Sequence, residues 1–178
     1  MVDIVDKTHR QIFCYNKDIG HLFVPNLNAR IMNERGGYFV KTNSLGFRSN
    51  LEFEKKKNSK PRILFFGDSN TAADGVSNNE RFSELVGDNF GAEVYNFGLS
   101  GSGTDQQYLI WKNFAQNVEA DLIILGVLVE NIERNRVAYR ESINPFTKKN
   151  VLIPKPYFQI NENKLNLINH PVSRTIPN

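Results

Sequence analysis

Histidine and cysteine are the scarcest reactive side chains in this chain: its 178 residues hold three histidines, His9, His21 and His170, and one cysteine, Cys14. A lone thiol excludes an internal disulfide and a multi-cysteine zinc site, and leaves Cys14 the role of an ordinary, partly buried thiol. Carboxylates nowhere gather with these residues at ligand spacing, so neither a metal nor another cofactor is expected. Long apolar runs are absent too, none approaching the ~20 residues that span a bilayer. The opening Met-Val-Asp-Ile-Val-Asp-Lys lacks the basic start and apolar centre of a secretion signal. We therefore expect a soluble, cytoplasmic protein without a membrane partner. Charge of one sign is also scarce: 22 Lys and Arg against 19 Asp and Glu leave +3, and the basic residues are scattered. Nucleic acid, which calls for a clustered basic face, is not an expected partner.

What is present suffices for one domain with a real core, since 40% of the residues are hydrophobic. Residues 1–60 read as an N-terminal arm and a charged connector. The arm, to residue 50, shows no sustained helical period, is broken by Gly20, Pro25, Gly36, Gly37 and Gly46, and is expected to be irregular and strand-poor. A short β segment over 38–42 follows the Gly36-Gly37 turn. Residues 52–60 are a solvated, charged link.

From residue 61 to 178 the pattern becomes that of an α/β core. Ile63-Leu64-Phe65-Phe66 has no polar alternation, as expected of a parallel strand covered on both faces. Gly67 permits a sharp turn, and Asp68, Ser69, Asn70 and Thr71 then place short polar side chains at the strand's carboxyl end, where open α/β sheets bind ligands. Ser69 is the candidate nucleophile, although the same four residue types also spell an ordinary turn. Ser77-Asn78-Asn79-Glu80 has the spelling of a capping box, and Phe82, Leu85, Val86 and Phe90 follow at helical spacing as one apolar face. A second strand over 93–97 leads through Gly98-Leu99-Ser100-Gly101-Ser102-Gly103 to a second box, Thr104-Asp105-Gln106-Gln107. The stripe Tyr108, Trp111, Phe114, Ala115 and Val118 belongs to the helix that follows. A third strand, the apolar run 122–129, ends at Glu130-Asn131. Residues 157–168 form a hairpin turning at Asn161-Glu162-Asn163-Lys164. Alternating strand and helix implies a parallel sheet with right-handed crossovers.

That topology brings Ser69, Gly101 and Asn131 to one edge, because each falls just beyond the carboxyl end of a predicted parallel strand. The chemistry expected there is acyl transfer, with the Ser69 hydroxyl attacking a carbonyl and its backbone N–H, the Gly101 N–H and the Asn131 amide stabilising the oxyanion. Each such donor contributes ~3 kcal/mol in the transition state. The plainer readings are a loop glycine and a turn-capping asparagine.

Gly67-Asp68-Ser69-Asn70-Thr71, Asn96-Phe97-Gly98-Leu99-Ser100-Gly101 and Gly126-Val127-Leu128-Val129-Glu130-Asn131, in this order, resemble the first three sequence blocks of the SGNH (GDSL) hydrolases. Gly20-His21-Leu22-Phe23-Val24-Pro25-Asn26 and Thr42-Asn43-Ser44-Leu45-Gly46-Phe47-Arg48 are similar to an arm that precedes the nucleophile in many bacterial members. The resemblance implies a flavodoxin-like three-layer fold and a serine esterase, with Ser69 as nucleophile and oxyanion donor and Gly101 and Asn131 as the other donors. The implied substrate is a small-molecule or carbohydrate ester, such as an O-acetyl group on a sugar.

Two departures stand out. Ile132 occupies the place of the aspartate that usually follows the asparagine. The late Asp-x-x-His block, which supplies the general base, is missing: Asp18-Ile19-Gly20-His21 has the spelling but precedes the nucleophile, and no aspartate occurs after Asp121 to accompany His170. Losing the histidine of a serine triad lowers turnover by on the order of 10⁶. Three strands are also few for a sheet of this kind, which commonly has about five or six. Both shortfalls are expected if the chain is the front part of a longer hydrolase; an unpaired edge on the third strand would then favour self-association. A non-catalytic relative that binds a glycan or acyl ligand, and on fold alone a nucleotide binder, remain as alternatives.

Overall fold

The computed structural model describes residues 12–33, 36–143 and 150–174. Its centre is a three-stranded parallel sheet formed by β5 (Arg62–Phe66), β6 (Glu93–Asn96) and β7 (Leu122–Leu125), in the order β6-β5-β7. The register pairs Leu64 with Tyr95 on one side and with Ile123 on the other. With a neighbour on each side, β5 is buried along its whole length, which accounts for its unbroken apolar spelling.

Side chains of β5 alternate between two unequal cores. Leu64 and Phe66 join Tyr95, Phe97, Leu109 and Ile110 in the larger one, where Phe66 stacks on Phe97 at 5.1 Å. Ile63 and Phe65 face a small cluster with Val94, edged by Val86, Ala92 and Ile124.

The arm is not strand-poor as expected. It forms two antiparallel hairpins, β1 (Phe13–Asn16) with β2 (Gly20–Phe23), and β3 (Asn28–Ile31) with β4 (Tyr38–Lys41). Strict alternation places Ala29 and Ile31 inward on β3. Ile19, Leu22, Phe23 and Phe47 fill the larger core, so the arm is built into the sheet's cover rather than appended to it. The short β segment expected after Gly36-Gly37 is β4.

The Ser77 box opens a three-residue 3₁₀ turn (Asn78–Glu80), with Glu80 accepting from the Ser77 N–H at 2.8 Å. The helix α2 (Phe82–Phe90) starts only after Arg81, and only part of its apolar stripe faces inward, where Val86 edges the small core. Phe82, Leu85 and Phe90 are exposed, whereas Ser83 and Gly87 are buried. Asn96 Nδ2 donates to Ser83 Oγ at 2.7 Å, and a Cβ on Gly87 would lie 2.6 Å from Val94 Cγ2. Close approach through small residues thus overrides the hydrophobic period. The second helix, α3 (Thr104–Ile110), begins one residue earlier than its spelling suggests: Gly103 is the N-cap, and Gln106 Oε1 accepts from its N–H at 3.2 Å. A π turn over Trp111–Ala115 follows; of the expected stripe, Ala115 is buried and Trp111, Phe114 and Val118 pack against the larger core, while Tyr108 is half-exposed.

The third apolar run is also less covered than expected. It forms a strand only over β7, which has β5 on one side and no strand on the other among the described residues, so Leu122, Ile123 and Leu125 are each about half exposed. Beyond it lie a hairpin of β8 (Tyr139–Ile143) with β9 (Asn150–Pro154) and the expected hairpin of β10 (Tyr157–Asn161) with β11 (Lys164–Ile168). Glu162 and Asn163, at φ 49° and 59°, make the tight turn of the latter. Mixed α/β architecture is therefore plain: one small parallel sheet with several two-stranded antiparallel ones. Among the described residues, no helix is long and apolar enough to cross a membrane.

Candidate active site

Ser69 sits where the sequence places it, three residues beyond β5, as the first residue of the short helix α1 (Ser69–Ala72). The turn requires Gly67: a Cβ there would fall 1.9 Å from Thr71 Oγ1. Asp68 is the N-cap, its Oδ1 accepting from the Asn70 N–H at 2.9 Å. The helix stops at Ala73, whose φ of 56° is left-handed.

Arg48, from the arm, secures that stop. Its guanidinium donates to the carbonyls of Ala72 (2.8 Å), Ala73 (2.9 Å) and Val76 (2.7 Å), and Nε donates to Asn78 Oδ1 (3.2 Å). Burial, and then the neighbouring Arg81, lower its pKa to about 10, well above neutral pH, so it stays charged. Nothing in local spacing announces this contact; the sole hint is that Arg48 ends one of the two arm motifs.

The three loops are tied together. The Gly67 carbonyl accepts from the Leu99 N–H at 3.0 Å and from Ser102 Oγ at 3.3 Å, joining the first loop to the second. Asn131 Nδ2 donates to the Asp68 carboxylate, joining the third to the first. Asn131 lies in a 3₁₀ segment over Val129–Arg136, half-buried, with one amide hydrogen left for another acceptor. Ile132, the residue after it, is 61% exposed, and the partner that holds the Asn131 amide is Asp68.

Gly101 is buried at φ +76°, the left-handed region that favours glycine. Against it lies the Arg140 guanidinium, so close that an added Cβ would be 1.5 Å from Nη1. The flanking Ser100 is a junction. Its carbonyl accepts from His21 Nε2 at 3.0 Å and from Arg140 Nη1 at 3.4 Å, and its Oγ donates to Asp74 Oδ1 at 2.7 Å. Asp74 returns to the Ser69 loop, its N–H donating to the Ser69 carbonyl at 3.0 Å. Although the residue is exposed, its carboxyl faces Ser100, and desolvation raises its pKa against the opposing pull of Ser100, Arg48 and Arg140.

No histidine meets the serine among the described residues. His21 is buried and committed to the Ser100 carbonyl, with Nδ1 unpartnered; burial lowers its pKa to about 4, so the ring is neutral at physiological pH. His170 has an aspartate after all, supplied from far upstream: Asp18 Oδ1 lies 3.0 Å from its Nε2, and Lys17 donates to the same oxygen at 2.9 Å. No hydrogen bond or ion pair links that couple to Ser69 among the described residues. His9 lies outside them. Nor do three His, Cys, Asp or Glu gather there as a possible metal site.

Compared with protein-family models and with curated proteins, the chain finds no match.

Proposed function

We propose that this protein is a carboxylic-ester hydrolase of the SGNH type, with Ser69 as nucleophile and the Ser69 N–H, Gly101 N–H and Asn131 amide as oxyanion donors. The observation that carries this reading is the tie between the carboxyl-end loops of β5 and β7: Asn131 donates to Asp68, 63 positions earlier in the chain and immediately before Ser69. The parallel order β6-β5-β7 is the 2-1-3 order that begins at one edge of a flavodoxin-like sheet. In this reading the ester is small or carried on a carbohydrate, and the general base comes from outside the described residues. The open edge of β7 is a site of self-association.

The commitment of His21 to a backbone carbonyl favours a second reading, in which the same pocket binds a glycan or acyl ligand without cleaving it. Fluorophosphonate labelling followed by peptide mapping separates the two. The esterase reading expects an adduct on Ser69 and loss of p-nitrophenyl acetate cleavage in Ser69→Ala. An unlabelled Ser69, with cleavage unchanged in the variant, leaves the binding reading.

A further inference from the structure

The Ser100-Gly101-Ser102 turn is bracketed by two arginines. Arg140 Nη1 donates to the Ser100 carbonyl at 3.4 Å and Arg134 Nη1 to the Ser102 carbonyl at 3.2 Å. A guanidinium carries several N–H donors in a rigid fork. Among the described residues each of these two makes only that one hydrogen bond, and neither has a carboxylate within ion-pair distance. Both border a cavity of about 300 Å³ beside Gly101. Lys155, on the same wall, is already engaged with Asp105 and with the carbonyls of Arg134 (2.9 Å) and Val137 (3.4 Å).

Charge in the cavity is unbalanced on its inner side. Arg140 has its pKa lowered by burial first and by Arg134 second, with Asp74 opposing. Two guanidinia held near each other, both half-buried and with unspent donors, are completed by an oxyanion that accepts from both. The carboxylates of Glu133 and Glu141 stand at the exposed rim, and Glu133 is paired with Arg136 at 3.4 Å. They repel a polyanion but leave room for a single anionic group directed inward.

We propose that this cavity is an anion subsite, in which Arg140 and Arg134 hold the carboxylate or phosphate of a ligand beside the Gly101 turn. Resting on the esterase reading, this makes the substrate an ester carried on an acidic sugar or a sugar phosphate rather than on a neutral one. The volume is at the lower end for small-molecule sites and suits a ligand of about monosaccharide size.

The test is a titration of the Ser69→Ala protein, followed by heteronuclear NMR, with glucuronate, glucose 6-phosphate and glucose as probes. Either anion is expected to bind at least roughly tenfold more tightly than glucose, as charge-assisted bidentate contacts require. Which anion binds distinguishes a carboxylate from a phosphate ligand. Arg140→Gln and Arg134→Gln should each remove most of that preference. Arg140→Lys should retain only part of it, because an ammonium cannot form the fork. Should Arg140→Gln fail to fold, Arg134→Gln and Arg140→Lys carry the same reading. Equal affinity for all three probes, or anion binding unchanged in the arginine variants, overturns the subsite. Anion binding by a protein whose Ser69 takes no fluorophosphonate would retain the subsite and remove the esterase; labelling without anion preference would do the reverse.

Discussion

Asn131 donates its side-chain amide to the carboxylate of Asp68, the residue that also caps the helix carrying Ser69. One carboxylate thus sets both the turn of the proposed nucleophile and the orientation of a proposed oxyanion donor. Asn131→Ala should lower kcat for p-nitrophenyl acetate by on the order of 10²-fold to 10³-fold with little change in KM, because the contact strengthens only as the oxyanion forms. Asp68→Ala should lower kcat as well, through a mispositioned Asn131, and should also reduce stability by about 1 kcal/mol through the lost cap. Steady-state kinetics with a denaturant melt distinguishes them: a change confined to KM in Asn131→Ala would remove its oxyanion role.

Arg48 is the arm's hold on the Ser69 loop. Truncating it to Ala leaves the carbonyls of Ala72, Ala73 and Val76 without this donor, and should destabilise the protein by about 3 kcal/mol. For a chain of this length that is a fall in Tm on the order of 10 °C. Arg48→Lys should recover only a minority of it, since one ammonium cannot reach every acceptor from the guanidinium's position. Thermal unfolding by circular dichroism reads both; wild-type melting of Arg48→Ala would show the contacts to be dispensable.

His21 makes stability pH-dependent in a defined window. Its folded pKa is lowered from 6.5 to about 4 by burial. Above pH 6.5 both folded and unfolded chains hold a neutral ring, and the full stability is present. As pH falls through that value the unfolded chain takes up a proton that the folded chain refuses, so stability declines down to about pH 4. The loss attributable to this ring approaches about 3 kcal/mol. Urea midpoints measured between pH 7 and pH 4 should fall accordingly, and the His21→Gln variant should show a shallower dependence. Identical slopes in the two proteins would mean that the buried ring takes up its proton in place.

Ile123 lies in the middle of β7 and is 53% exposed. If the open edge mediates self-association, Ile123→Lys should shift sedimentation toward the monomer at high protein concentration. Stability should change by less than about 0.5 kcal/mol, as at other exposed sites. An unchanged sedimentation profile would place any association elsewhere.

Wherever a feature rests on neighbours in the chain, it was legible before folding. The β5 strand follows from four consecutive apolar residues, the sharp entry to Ser69 from Gly67, and the β10-β11 turn from the polar run Asn161-Glu162-Asn163-Lys164 between two strand-like segments. The common edge of the Ser69, Gly101 and Asn131 loops follows from alternating strand and helix. Helix α2 shows where this fails. Its period of large apolar residues was correct, yet the choice of inward face went to Ser83 and Gly87, because contact with Asn96 and Val94 depends on how closely the backbones approach. The arm's hairpins were missed for a related reason: four-residue strands carry too little alternation to stand out from their breaks, and they persist because Ile19, Leu22 and Phe23 find the sheet's core.

The order of residues by itself determined the local units: a buried strand, a glycine-gated serine, a tight hairpin, and loops emerging on one side of a parallel sheet. Backbone torsions and side-chain periods act over a few positions, so these can be read without coordinates. Tertiary structure alone decided which charges meet. Asp18 reaches His170 across 152 positions, Arg48 reaches the carbonyls behind Ser69, and Arg134 and Arg140 reach the carbonyls on either side of Gly101. Those contacts depend on direction and distance to within an ångström, and only the packed core sets both.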